Sequence, residues 1–167
     1  HYINNEATKD EKFIIAPHNI KNDAILSLKK AINKKIILYS EREGENLSDN
    51  QVFIIDTIGI LTKVYAVADI AYVGGGLKTG LHNILEPATF GIPVVIGNQY
   101  DKFKEAVDLV KIGGCISIHN QQEFTENFKA LKEDENFRKL TGVINKKYIE
   151  HHLGATKLVI NYLKTQL

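Results

Sequence analysis

Ile70-Ala71-Tyr72-Val73-Gly74-Gly75-Gly76 is a short apolar run that passes directly into three glycines. Four continuously apolar residues, bounded by glycine, read as a strand buried on both faces. The loop continues as Leu77-Lys78-Thr79-Gly80-Leu81-His82-Asn83 and leads into Ile84-Leu85-Glu86-Pro87-Ala88. Pro87 suits the first turn of a helix, where its missing N–H costs nothing. A strand, a glycine loop and a helix start therefore follow one another here.

The same alternation extends outward in both directions. Upstream, 13–16, 36–39 and 52–55 are short apolar runs, and downstream 93–96 and 115–118 are too. Between them, 19–33 places Ile20, Ala24, Ile25, Leu28 and Ile32 on one helical face, while 61–68 reads as a short helix. Helical spacing across 102–112 aligns Phe103, Ala106, Val107 and Val110. The charged stretch 40–50, with Gly44, reads as an exposed loop. From 121 to 166 the pattern is helical and rich in Lys and Glu, and Gly142 and Gly154 are expected to divide it into three helices. Buried short strands separated by helices indicate one α/β domain, a Rossmann-like doubly wound parallel sheet with helices on both faces and a helical C-terminal tail.

The bulk numbers agree with a globular domain. The chain has 167 residues, 44% hydrophobic and 25% charged, with a net charge of +1. That rules out a disordered or collagenous chain, and it gives no field for steering towards nucleic acid. No apolar run is long enough to span a bilayer, and no signal peptide is visible. Cys115, the single cysteine, lies in the last strand and reads as a small buried residue rather than a nucleophile. The chain contains no Met and opens on His1, so it is expected to be a piece of a longer protein.

In a doubly wound sheet, ligands bind beyond the carboxyl ends of the strands. Small polar and glycine residues gather at those positions: Pro17-His18-Asn19, Asp56-Thr57-Ile58-Gly59, the loop from Gly74 to Asn83, and Gly97-Asn98-Gln99-Tyr100. Three glycines in a row allow positive φ and close approach of a ligand to the backbone, and exposed amides there favour an anion such as phosphate. The alternative is a tight turn without a ligand. The spacing is not a dinucleotide fingerprint, because Gly80 comes one residue too late after Gly74 and Gly76. Neither is it a Walker loop, because Lys78-Thr79 precedes Gly80.

Glu86 has two readings. With Asn83 three residues earlier it forms a capping-box pattern. As a carboxylate beside glycine amides it can instead accept hydrogen bonds from the diol of a ribose. Asp56 or Thr57 could cap the next helix, or the amides of Ile58 and Gly59 could read the edge of a base. His18 and His82 are candidate partners for a phosphate or a sugar carboxylate. The pair His151-His152 shares no helix face, which argues against a metal site. Arg42 and Arg138 fall outside these loops, so no bidentate phosphate clamp is expected. No Ser-His-Asp triad, zinc constellation or nucleic-acid stacking platform is recognisable.

Three segments together carry a family resemblance. Asp56-Thr57-Ile58-Gly59, then 65–76 ending in Val73-Gly74-Gly75-Gly76, then His82-Asn83-Ile84-Leu85-Glu86-Pro87-Ala88-Thr89-Phe90-Gly91-Ile92-Pro93-Val94 resemble the C-terminal domain of 3-deoxy-D-manno-octulosonic acid (Kdo) transferases. The likeness runs on through Gly97, Phe103-Lys104-Glu105-Ala106 and Gly113-Gly114. It implies one half of a GT-B glycosyltransferase, an inverting enzyme with no cofactor and no tightly bound metal at the donor site. The implied donor is CMP-Kdo and the implied acceptor a lipid A precursor, at the cytoplasmic face of a bacterial inner membrane.

The resemblance gives the ribose to Glu86 and the cytosine to the amides of Ile58 and Gly59, beside Thr57. Phosphate and sugar fall to Gly74, Gly75, Gly76, His82 and Asn83, with Lys78, Gly80, Pro17 and His18 also in the donor set. It places the general base, the acceptor groove and the membrane contact in an N-terminal domain, so the chain alone is expected to be inactive. It also implies that the first strand of the C-terminal domain lies before His1, and an arginine common after the His18-like position is absent here. Other readings are a GT-B enzyme using a UDP-sugar and a non-catalytic nucleotide-sugar-binding module.

Overall fold

The computed structural model describes residues 1–77 and 80–166. It divides into two compact units, His1–Val67 and Ala68–Leu167. The first contains α1 (Tyr2–Asn5), β1 (Phe13–Ile15), α2 (Asn22–Ala31), β2 (Ile36–Leu38), β3 (Val52–Ile54) and α3 (Leu61–Tyr65). Its strands pair in parallel in the order β1-β3-β2, with Ile15 and Leu38 both opposite Ile54. Ile25 of α2 packs with Leu38, Val52 and Ile54, and Leu28 and Ile32 pack against that cluster, so most of the expected face meets the sheet, whereas Ile20 precedes the helix and is exposed.

The ends of α2 differ from the sequence reading. Asn19 accepts a hydrogen bond from the Lys21 N–H at 3.0 Å, a side-chain turn that delays the helix to Asn22. At the other end Asn4 donates to the Ala31 carbonyl at 2.8 Å and accepts from the Asn33 N–H at 3.0 Å. That clasp satisfies a terminal carbonyl and leaves Ile32 extended. The 40–50 loop is exposed as read, but it includes two 3₁₀ turns, Tyr39–Glu41 and Leu47–Asp49.

The second unit contains β4 (Ala71–Val73), α4 (Leu85–Thr89), β5 (Val94–Gly97), α5 (Lys104–Ile112), β6 (Cys115–Ile118), α6 (Gln121–Glu133), α7 (Glu135–His151) and α8 (Ala155–Gln166). Its parallel order is β4-β5-β6, and all four residues of β5 are buried. The α/β class, parallel pairing and helices on both sides thus follow the sequence reading. The ladders, however, form two three-stranded sheets rather than the single sheet expected from the alternation. Among the described residues, the strand pairs are β1 with β3, β2 with β3, β4 with β5 and β5 with β6.

The three tail helices exist, but Gly142 does not divide them. It lies inside α7, where a Cβ would run into the Gly91 carbonyl oxygen and lie 3.3 Å from the Ile92 Cα. Glycine is needed there for close packing of helix on backbone, and its lower helix propensity is overridden. The break falls instead at Asp134, whose carboxylate accepts from the Phe137 N–H at 2.9 Å as the cap of α7. Arg138 completes the corner by donating to the Leu131 and Lys132 carbonyls at 2.8 and 2.9 Å. One turn after Gly142, the fully buried Asn145 donates to the Ile92 carbonyl at 2.7 Å.

Candidate functional site

The carboxyl end of β4 opens into the glycine loop. The Gly80 N–H donates to the Gly75 carbonyl at 3.1 Å, and the His82 N–H donates to that of Gly74 at 3.2 Å. Of Gly74, Gly75 and Gly76, only Gly75 has positive φ, at 91°, so the sequence expectation holds for one of the three. A Cβ on Gly75 would also strike the Gly80 carbonyl oxygen. Gly76 is required for another reason: a Cβ there would lie 3.0 Å from both the N and O of Gly97. Gly74 has an ordinary environment, its nearest neighbour being the His82 ring at 3.9 Å. Gly80 has φ of 98° in open space. Lys78 lies outside the described residues.

The loop then delivers His82, exposed, to the approach of α4. Asn83 accepts from the Leu85 N–H at 3.0 Å and its amide donates to Glu86 Oε1 at 3.0 Å. This is not the capping box of the sequence reading, because Asn83 bonds two residues on and Ile84 occupies the cap position without a side-chain bond. The amide instead orients a half-buried carboxylate. Glu86 Oε2 has no hydrogen-bond partner among the described residues. A carboxylate held by one oxygen and open at the other suits a ligand that donates two hydrogen bonds from neighbouring hydroxyls.

In the first unit, β1 and β3 are parallel neighbours, so the segments after them leave from the same edge. Pro17 is half-buried and His18 exposed. Asp56 does not cap α3; it accepts from the Ser40 N–H at 3.0 Å and from the Ser40 hydroxyl. Thr57 likewise gives no cap, since Ile60 holds that position with no side-chain bond. Asp56 thereby ties the turn after β3 to the turn after β2, a link for which the sequence carried only the position of an acid after a strand. Beyond it Ile58 is 85% exposed, unusual for isoleucine, and Gly59 has φ of 90° with open space around it. The N–H groups of Ile58 and Gly59 have no acceptor among the described residues, which leaves two adjacent donors for an edge-on polar ligand.

Several residues are accounted for structurally. Cys115 is buried, and burial pushes its thiol up to about 12, so it carries almost no thiolate near neutrality. Arg42 stacks over Tyr39 at 3.8 Å and donates to its carbonyl at 2.7 Å. His151 and His152 each pair through Nδ1 with a carbonyl one helical turn back. Among the described residues, no helix is long and apolar enough to cross a membrane and no three His, Cys, Asp or Glu side chains group as metal ligands.

The chain is 29% identical over 157 residues to a 3-deoxy-D-manno-octulosonic acid transferase of Haemophilus influenzae, covering 92% of this chain and 36% of that protein. It is 31% identical over 153 residues to the enzyme of the same name from Aquifex aeolicus, covering 86% and 42%. A bifunctional glycosyltransferase/methyltransferase of Fusobacterium nucleatum is 32% identical over 158 residues, covering 90% and 24%. The chain thus spans less than half the length of these curated relatives. The fold matches the crystal structure of the C-terminal CMP-Kdo binding domain of WaaA from Acinetobacter baumannii. That match has a TM-score of 0.72 and 24% identity, over 81% of this chain and 72% of the other. No family model matches the chain.

Proposed function

We propose, for a chain related over about nine-tenths of its length to 3-deoxy-D-manno-octulosonic acid transferases, that it is the donor-binding half of such an enzyme. The whole protein transfers Kdo from CMP-Kdo to a lipid A precursor in lipopolysaccharide biosynthesis, working at the cytoplasmic face of the inner membrane. The observation that carries this reading is Glu86: one carboxylate oxygen is held by Asn83 and the other has no partner among the described residues, shortly after a glycine loop at a strand end.

In that role Glu86 accepts from the ribose hydroxyls, while the amides of Gly74 to Gly76, with His82 and Asn83, face the phosphate and the sugar carboxylate. The N–H groups of Ile58 and Gly59, which have no acceptor among the described residues, are suited to the polar edge of cytosine. The chain binds and orients the donor; removal of the acceptor proton belongs to an acidic residue outside it. It therefore binds nucleotide without turnover.

Calorimetric titration of the chain with CMP, UDP and NAD tests this. CMP is expected to bind most tightly. Glu86→Gln is expected to weaken CMP by about 1–3 kcal/mol, the range for a hydrogen bond to a charged group, and to leave 2′,3′-dideoxy-CMP unaffected. Equal binding of CMP, UDP and NAD would refute the donor assignment, and preference for UDP would indicate a UDP-sugar enzyme.

A further inference from the structure

The loop after β4 is fastened to the loop after β5 by Gln99, a residue outside the donor set. The Gln99 N–H donates to the Gly76 carbonyl at 2.7 Å, and the Gln99 side-chain amide donates to the next carbonyl, Leu77, at 3.2 Å. Beneath them the Gly76–Leu77 peptide lies flat against Gly97: a Cβ on Gly97 would overlap the Gly76 carbonyl and lie 2.6 Å from the Leu77 nitrogen. Two successive carbonyls are thus held by one residue, and the peptide between them is held against a glycine.

A trans peptide points its C=O and N–H in opposite directions. Turning the Gly76 carbonyl onto the Gln99 backbone N–H therefore turns the Leu77 N–H away from Gln99, and the Gln99 side chain, bonded to the Leu77 carbonyl on the far side of the same residue, holds it in that turn. That N–H has no acceptor among the described residues. A donor whose direction is set before the ligand arrives loses little freedom on binding, which is where preorganised sites gain affinity.

We propose that Gln99 is a positioning residue for the anionic group of the donor: it fixes the glycine loop so that the Leu77 amide is presented to the phosphate. Gln99 does not itself touch the ligand. The inference rests on the donor-site reading above.

The test is Gln99→Met, which keeps the bulk of an exposed side chain and removes the donor to Leu77. Calorimetric titration compares CMP with cytidine, which lacks the phosphate, on the variant and the unaltered chain. CMP is expected to bind about three- to tenfold more weakly to the variant, the size of one neutral hydrogen bond. Cytidine binding and thermal melting are expected to stay unchanged. An equal loss for CMP and cytidine means general loosening and overturns the positioning role; so does no loss for either. If the unaltered chain binds no CMP, the donor-site reading fails, and this inference falls with it.

Discussion

Gly142→Ala separates two accounts of the same glycine. In an exposed helix interior, Gly→Ala stabilises by about 1 kcal/mol through helix propensity. In α7 the added Cβ would run into the Gly91 carbonyl oxygen and press on the Ile92 Cα at 3.3 Å. Both neighbours are backbone, so relief requires α7 to move off the segment joining α4 to β5. Overpacking of this kind costs about 1–3 kcal/mol. The same movement stretches the 2.7 Å bond from Asn145 to the Ile92 carbonyl, and an unpaired buried amide costs about 1–3 kcal/mol more. Against the propensity gain, a net destabilisation of about 1–5 kcal/mol is expected. Urea unfolding followed by far-ultraviolet circular dichroism measures it, with an unchanged m-value showing that the unfolded reference is the same. A variant at least as stable as the parent would refute the packing argument and restore Gly142 to a mere helix weakness.

Two further expectations concern other parts of the second unit. Because burial raises the Cys115 thiol to about 12, a thiol reagent at pH 8 should label native protein orders of magnitude more slowly than protein in denaturant; equal rates would show the thiol to be accessible. The Glu123 carboxyl is held below its usual 4.5 first by the hydrogen bond from the His119 ring and then by the His119 backbone N–H. A depressed native pKa contributes stability that is present above the unfolded value and is lost as pH falls through the folded one. The stability deficit of Glu123→Gln should therefore be larger at pH 6 than at pH 3.5, and a deficit independent of pH would contradict the assignment.

The strands, their parallel pairing and the positions of the glycine-bearing loops at the strand ends were legible because each depends on local pattern. A buried strand must be apolar throughout, and a glycine loop must announce itself in composition. The place of Glu86 at the start of α4 was legible too, although its partner's role was not: the spacing to Asn83 suggested a cap, and the amide orients the carboxylate instead. Spacing cannot distinguish these, because both place the same two residues one helical turn apart.

What remained hidden depends on residues that meet only when the chain folds. Asn4 closes α2 from 27 residues away. Asp56 serves Ser40 rather than its own helix, and Gln99 holds carbonyls 22 and 23 positions earlier. Gly142 reads as a helix breaker until Gly91 is seen against it. The amino-acid sequence by itself determined the α/β alternation and which loops could face a ligand, since hydrophobic period and glycine act through near neighbours. Tertiary structure alone decided how the strands divide between two sheets, which glycines are needed for space rather than for φ, and which amides are left unpaired, because these follow from backbone meeting backbone across the fold.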